Sequence, residues 1–117
     1  MYKILFYRDK NGCSPVEEHI RELAAQNGKD SRIKLKKIQD CINALKYYGT
    51  LAGEPYMKHL EDEIWELRPS SDRILFVAWH NGSDVLLHYF IKKTQKTPRR
   101  EIEKAKRELK DLIERGE

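Results

Sequence analysis

Apolar positions along the chain switch between two periods, and the switches mark the elements. Tyr2-Lys3-Ile4-Leu5-Phe6-Tyr7 is dense in aromatic and β-favouring residues and reads as a strand. Asp9-Lys10-Asn11-Gly12 ends it as a turn. A helical period follows, with Val16, Ile20, Leu23 and Ala24 on one stripe. Its start fits a capping box: Ser14 as N-cap, Pro15 in the first helical position, and Glu17 reaching back to the cap N–H. Asn27-Gly28 supplies a left-handed stop. A second helix restarts at Asp30 or Ser31 and buries Leu35, Ile38, Ile42 and Leu45. Lys34, Lys36 and Lys37 decorate its other sides, and Gly49 closes it after Tyr47 and Tyr48. The short link predicts an antiparallel helix pair.

Residues 49–62 read as irregular, and three strands are predicted after them. The first covers Ile64 to Arg68, and Pro69-Ser70-Ser71-Asp72 turns the chain. The second runs from Arg73 to Trp79. His80-Asn81-Gly82-Ser83 is a hairpin turn, Asn-Gly being the strongest short signal for one. The third runs from Asp84 to Lys93. Thr97 as N-cap and Pro98 in the first position open a last helix with Ile102, Ala105, Leu109, Leu112 and Ile113 on one face. The order is β-α-α-β-β-β-α. It predicts one α+β domain over residues 1–117, with helices packed on one face of a mostly antiparallel, twisted sheet.

Composition narrows the class. With 39% hydrophobic and 36% charged residues, the chain suits one folded core under a very polar surface and is no disordered segment. No apolar run approaches membrane-spanning length, and the chain starts directly on a strand without a signal peptide, so a cytoplasmic location is expected. Cys13 and Cys41 sit in no metal-ligand or redox spacing and are expected as free thiols, Cys41 buried and Cys13 in a turn. The net charge of +4 is local: residues 92–117 hold ten Lys/Arg against six Asp/Glu, and the rest of the chain is balanced. Such a basic segment suits a polyanion or an acidic protein, or is simply a solvated helix face.

Candidate chemistry gathers where strands end. Trp65 and Leu67 are expected to face inward, which turns Glu66 and Arg68 to the other side. Arg73 stands across the short turn from Arg68, so their guanidinium groups can converge. Lys92, Lys93 and Lys96 emerge just before a helix N-terminus, where backbone N–H groups add partial positive charge. Phosphate is the natural counterpart. The bare pattern leaves a second reading open, in which Arg68 pairs with Glu66 or Asp72 and Lys92 to Lys96 are solvated. Tyr89 and Phe90 beside Lys92 and Lys93 suit stacking on single-stranded bases, although one of them must face the core. His19 and His80 read as surface residues, His59 as able to face the site, and His88 as a half-buried structural residue in mid-strand. No side chains sit at metal-ligand spacing, and no metal or other cofactor is expected.

The segments Ile64-Trp65-Glu66-Leu67-Arg68, Arg73-Ile74-Leu75-Phe76, Leu86 to Pro98 and Glu101-Ile102 resemble the phage-derived branch of the HigB toxins, within the RelE/ParE superfamily. The likeness covers nearly the whole chain. Tyr89 departs from it, because a small residue is expected there. The resemblance implies a RelE-like fold and the toxin of a type II toxin–antitoxin pair. Such a toxin cuts mRNA in the ribosomal A site and is blocked by a HigA-like helix-turn-helix antitoxin, with which it can form a heterotetramer. RNA can be cut without metal by its own 2′-OH if the protein aligns the attack, moves two protons and stabilises the added charge. Arg68 and Arg73 suit charge stabilisation. Lys93 or Lys96 suits holding the backbone or moving a proton. His88 is the nearby side chain of a type that titrates near neutrality. Lys92, Tyr89, Phe90 and Glu66 are expected to contact RNA, with Glu66 the second choice of base and Tyr89 an acid or a stacking group. Two rivals stay open: a ParE-type poison of gyrase with the same fold, and a non-enzymatic module that binds an antitoxin or nucleic acid.

Overall fold

The computed structural model describes residues 1–116, and Glu117 lies outside the described residues. In chain order the elements are β1 (Lys3–Phe6), α1 (Pro15–Ala25), α2 (Lys29–Tyr48), a 3-10 turn (Gly49–Ala52), β2 (Met57–Glu61), β3 (Ile64–Leu67), β4 (Asp72–Trp79), β5 (Ser83–Ile91) and α3 (Arg99–Arg115). The sheet order is β1-β5-β4-β3-β2. β1 runs parallel to β5, and the other neighbours are antiparallel. The fold is therefore α+β, built on a five-stranded mixed sheet.

Two expectations are corrected here. The segment taken as irregular contains β2, in which Met57 is buried and Lys58 and His59 are both exposed, so no alternation marks it, and a register shift follows before Glu61. The helices also cover both faces of the sheet. One core joins Val16, Leu23, Ile38 and Leu45 of α1 and α2 to Leu67, Ile74, Phe76 and Leu86. The other joins Ala105 and Leu112 of α3 to Ile64, Leu75, Val77, Val85 and Leu87. Ile74 and Phe76 thus point one way, Leu75 and Val77 the other. A strand buried on both sides loses its polar alternation, which is why the run Ile74-Leu75-Phe76-Val77 did not reveal a second layer.

The ends of the elements follow local chemistry. Ser14 Oγ accepts from Glu17 N, and Pro15 opens α1. The Glu17 carboxylate takes a hydrogen bond from Arg8 instead of closing the box. Asn27-Gly28 does not stop α1 in a left-handed turn: the cap is Gln26 in extended geometry, and Gly28 caps α2 with φ −77°. Gly49 ends α2 at φ 60°, where a Cβ would lie 2.8 Å from the Tyr2 ring, so only glycine fits. Asn81 and Gly82 both take positive φ, as the two-residue hairpin requires. α3 begins later than expected, with Pro98 as its cap, because the Thr97 hydroxyl donates to Glu66 instead. On its buried face Glu108 takes the place expected of Ile113, which is exposed. Glu61 at the end of β2 accepts from Arg99 and Lys106, and these bonds hold its carboxyl down at about 2. Both cysteines are free, Cys41 buried and Cys13 exposed. Among the described residues no helix is long and apolar enough to cross a membrane.

Candidate nucleic-acid interface

The pairing of β4 with β5 slips by one residue: Phe76 faces Leu86, whereas Leu75 faces His88. Leu87 is the extra residue, and it shares the α3 side of the sheet with His88. Such a bulge reverses the parity of every later residue on its strand. Tyr89 therefore packs toward α1 and Phe90 toward α3. Lys92, not Lys93, arrives on the face that carries Glu66 and Arg73.

Glu66 lies at the bottom of that face and is 1% exposed. Its Oε1 accepts from the Thr97 hydroxyl. Its Oε2 stands 3.8 Å from Arg68 Nε and 3.9 Å from Arg73 Nε. Lys58 of β2 is its ladder partner on one side and Leu75 on the other. An open cleft of about 280 Å³ sits above, walled by Lys58, Arg68, Lys92, Lys96 and His59. Arg73 is deeper, with its side chain 11% exposed, and its Nη1 donates to the carbonyls of Ser70 and Asp72. Burial lowers its pKa, against the opposing pull of Glu66. Arg68 is more open, and its Nη1 meets the exposed Glu54 carboxylate at 3.3 Å. Burial also lowers the pKa of Lys92; Glu66 acts against this, while Arg73, Arg68 and Lys58 add to it.

Other expected site residues lie elsewhere. Lys93 lines a separate depression with Thr94, Pro98 and Arg100 at the outer side of β5. Tyr89 stacks on His19, ring centroids 3.9 Å apart, and burial raises its phenol pKa, with Glu22 and Asp72 adding to the effect. His19 is not a free surface residue, since its Nε2 also lies 3.3 Å from the buried Asp72 carboxylate. Phe90 is partly buried against the α3 core but lines the Lys93 depression. His88 is buried rather than half-buried. Its Nδ1 lies 2.5 Å from Glu108 Oε1 and its Nε2 3.1 Å from Glu101 Oε1, so both ring nitrogens face α3. Lys58 was missed because its segment was not read as a strand: Met57 is buried but Lys58 and His59 are both exposed, so no two-residue period shows.

The arrangement brings cationic side chains from several strand ends and the loop before α3 around one open cleft. A single acidic group beneath several cations sets their positions without cancelling their field. Residues 21–110 match the family of phage-derived Gp49-like proteins (DUF891). The chain belongs to that family. No curated protein matches the sequence. The phage-derived Gp49-like family agrees with the phage-derived character that the sequence resemblance implied. The matched span of this Gp49-like chain runs from within α1 into α3 and so includes every residue of the cleft. Among the described residues no three His, Cys, Asp or Glu side chains are grouped to hold a metal ion.

Proposed function

We propose that this chain is the toxin of a type II toxin–antitoxin pair, and that it cuts mRNA on the ribosome by driving 2′-OH attack on the adjacent phosphorus. The observation that carries the reading is the meeting of Arg68, Lys92, Lys58 and Lys96 around one open cleft over buried Glu66, with Arg73 Nε 3.9 Å from that carboxylate. In this reaction the 2′-oxygen bonds to phosphorus, the bond to the 5′-oxygen breaks, and a 2′,3′-cyclic phosphate is left. The 2′-hydroxyl loses a proton and the departing 5′-oxygen gains one.

Each side chain has a task suited to its surroundings. Arg68 grips the non-bridging oxygens with its planar fork. Its present partner Glu54 is exposed, and such pairs are worth about 0–1 kcal/mol, so a phosphate displaces it readily. Arg73, fixed by two backbone carbonyls, adds positive field from below, where low dielectric strengthens it. Lys92, with its lowered pKa, is the proton carrier, since proton transfer works best when the group titrates nearer to working pH. Lys58 and Lys96 hold the flanking backbone. Glu66 is a positioning residue that aims both guanidinium groups. The antitoxin is a HigA-like helix-turn-helix protein, and the site of action is the translating ribosome in the cytoplasm.

Inducing the chain alone in growing cells and mapping mRNA 5′ ends tests this. New ends are expected within translated messages, and Arg73→Ala or Lys92→Ala should abolish them while the protein stays folded. Growth arrest with intact messages and damaged DNA would overturn the nuclease reading in favour of a gyrase poison.

A further inference from the structure

Arg68 lines two depressions at once: the basic cleft, and a second of about 210 Å³ that it shares with Lys37, Pro55 and Tyr56. The link is rigid, because Arg68 N donates to Tyr56 O at 2.9 Å, continuing the ladder of β2 and β3 by one residue. Tyr56 in turn lines a third depression, of about 270 Å³, with Tyr47 and Tyr48 at the end of α2. The surface is thus a track that leaves the phosphate grip and runs past three tyrosines.

These rings are unusually open. Tyr56 is 40% exposed, Tyr47 57% and Tyr48 64%. Among the described residues none of the three stacks on another aromatic ring. The charges beside them favour an anionic strand. Lys37 and Arg68 stand at the second depression, and Asp40, the carboxylate between the depressions, is paired with Lys36 at 2.7 Å.

We propose that Tyr56 and Tyr47 form a base-stacking platform for the single-stranded RNA that flanks the phosphate held by Arg68. This rests on the ribonuclease reading above and extends it from one phosphate to neighbouring nucleotides. Aromatic faces beside a cationic groove bind single strands with little sequence preference, since every base has a π-face. Tyr56, joined to Arg68 through the backbone, takes the nearer base. Tyr47 takes one further along.

Fluorescence anisotropy with two probes tests the platform: a 2′-O-methyl RNA hexamer, which cannot be cut, and an abasic hexamer with the same phosphates. Tyr56→Ala and Tyr47→Ala are each expected to weaken hexamer binding about tenfold and to leave abasic binding unchanged. Tyr56→Phe should bind as the parent does. Arg68→Ala should weaken both probes. Tyrosine variants that bind the hexamer normally, with Arg68→Ala impaired, would overturn the platform and leave the phosphate grip standing. If they also lose an oligomer seen in sedimentation velocity, the patch is a contact between copies of the chain. Failure of the parent chain to bind either probe would overturn the platform together with the reading beneath it.

Discussion

Oε2 of Glu66 lies 3.9 Å from Nε of Arg73, and that Nε has no hydrogen-bond partner among the described residues. The two groups are held as a charge pair without a bond, so each depends on the other's field more than on contact. Removing one member of a buried pair leaves the other uncompensated and costs about 3 kcal/mol. Glu66→Gln keeps an acceptor for Thr97 and removes only the charge. Its urea midpoint should fall accordingly, and adding Arg73→Met should recover most of the loss. A Glu66→Gln protein as stable as the parent would show that the carboxylate does not set the arginines.

The bulge at Leu87 makes neighbouring lysines unequal. Lys92→Ala should lower the rate of mRNA cleavage by about 100-fold or more, the usual effect of losing a positioned proton carrier, while affinity for an uncut RNA changes much less. Lys93→Ala, altered in a separate depression, should stay within about threefold of the parent. Cleavage rates measured side by side decide it. The reverse ranking would mean that strand parity does not choose the active lysine.

That parity shows how far the sequence can be read. Arg68 and Arg73 were legible because a short turn between two strands brings its flanking residues together whatever the rest of the fold does. Glu66 followed from alternation with Trp65 and Leu67. Which face Lys92 and Lys93 each take was not legible, because Leu86-Leu87-His88 contains no glycine or other mark of an inserted residue, so nothing announces the bulge. The second layer was hidden for a related reason: β4 is apolar on both faces, and periodicity does not say which side receives α3. Thr97 fitted the helix-cap pattern, but its bond to Glu66 depends on a residue 31 positions away, beyond the range of local rules.

Glu108 binds His88 between α3 and the sheet, with Glu101 on the other ring nitrogen. This triad pins the helix that roofs one core, so its loss should act on stability. His88→Ala leaves Glu108 buried without its partner and should cost about 3 kcal/mol. Cleavage per folded molecule should be little changed at a temperature where circular dichroism shows the native fold. Wild-type stability combined with lost cleavage would instead assign His88 to the chemistry.

Asp84 in β5 is 3% exposed, and its Oδ2 has no hydrogen-bond partner among the described residues. Burial pushes its carboxyl up to about 6, against about 3.9 in an unfolded chain. The folded state therefore holds its proton more tightly, and stability falls as pH rises through the window between these values. The penalty is absent below about pH 4 and complete above the folded value. Over that interval it amounts to about 3 kcal/mol, which Asp84→Asn should recover at pH 7.5 and not at pH 3.5. The check is the difference in urea unfolding free energy between variant and parent at the two pH values. A difference that does not change with pH, or a variant less stable at pH 7.5, would mean that the carboxylate has a partner and is not an unpaired buried charge.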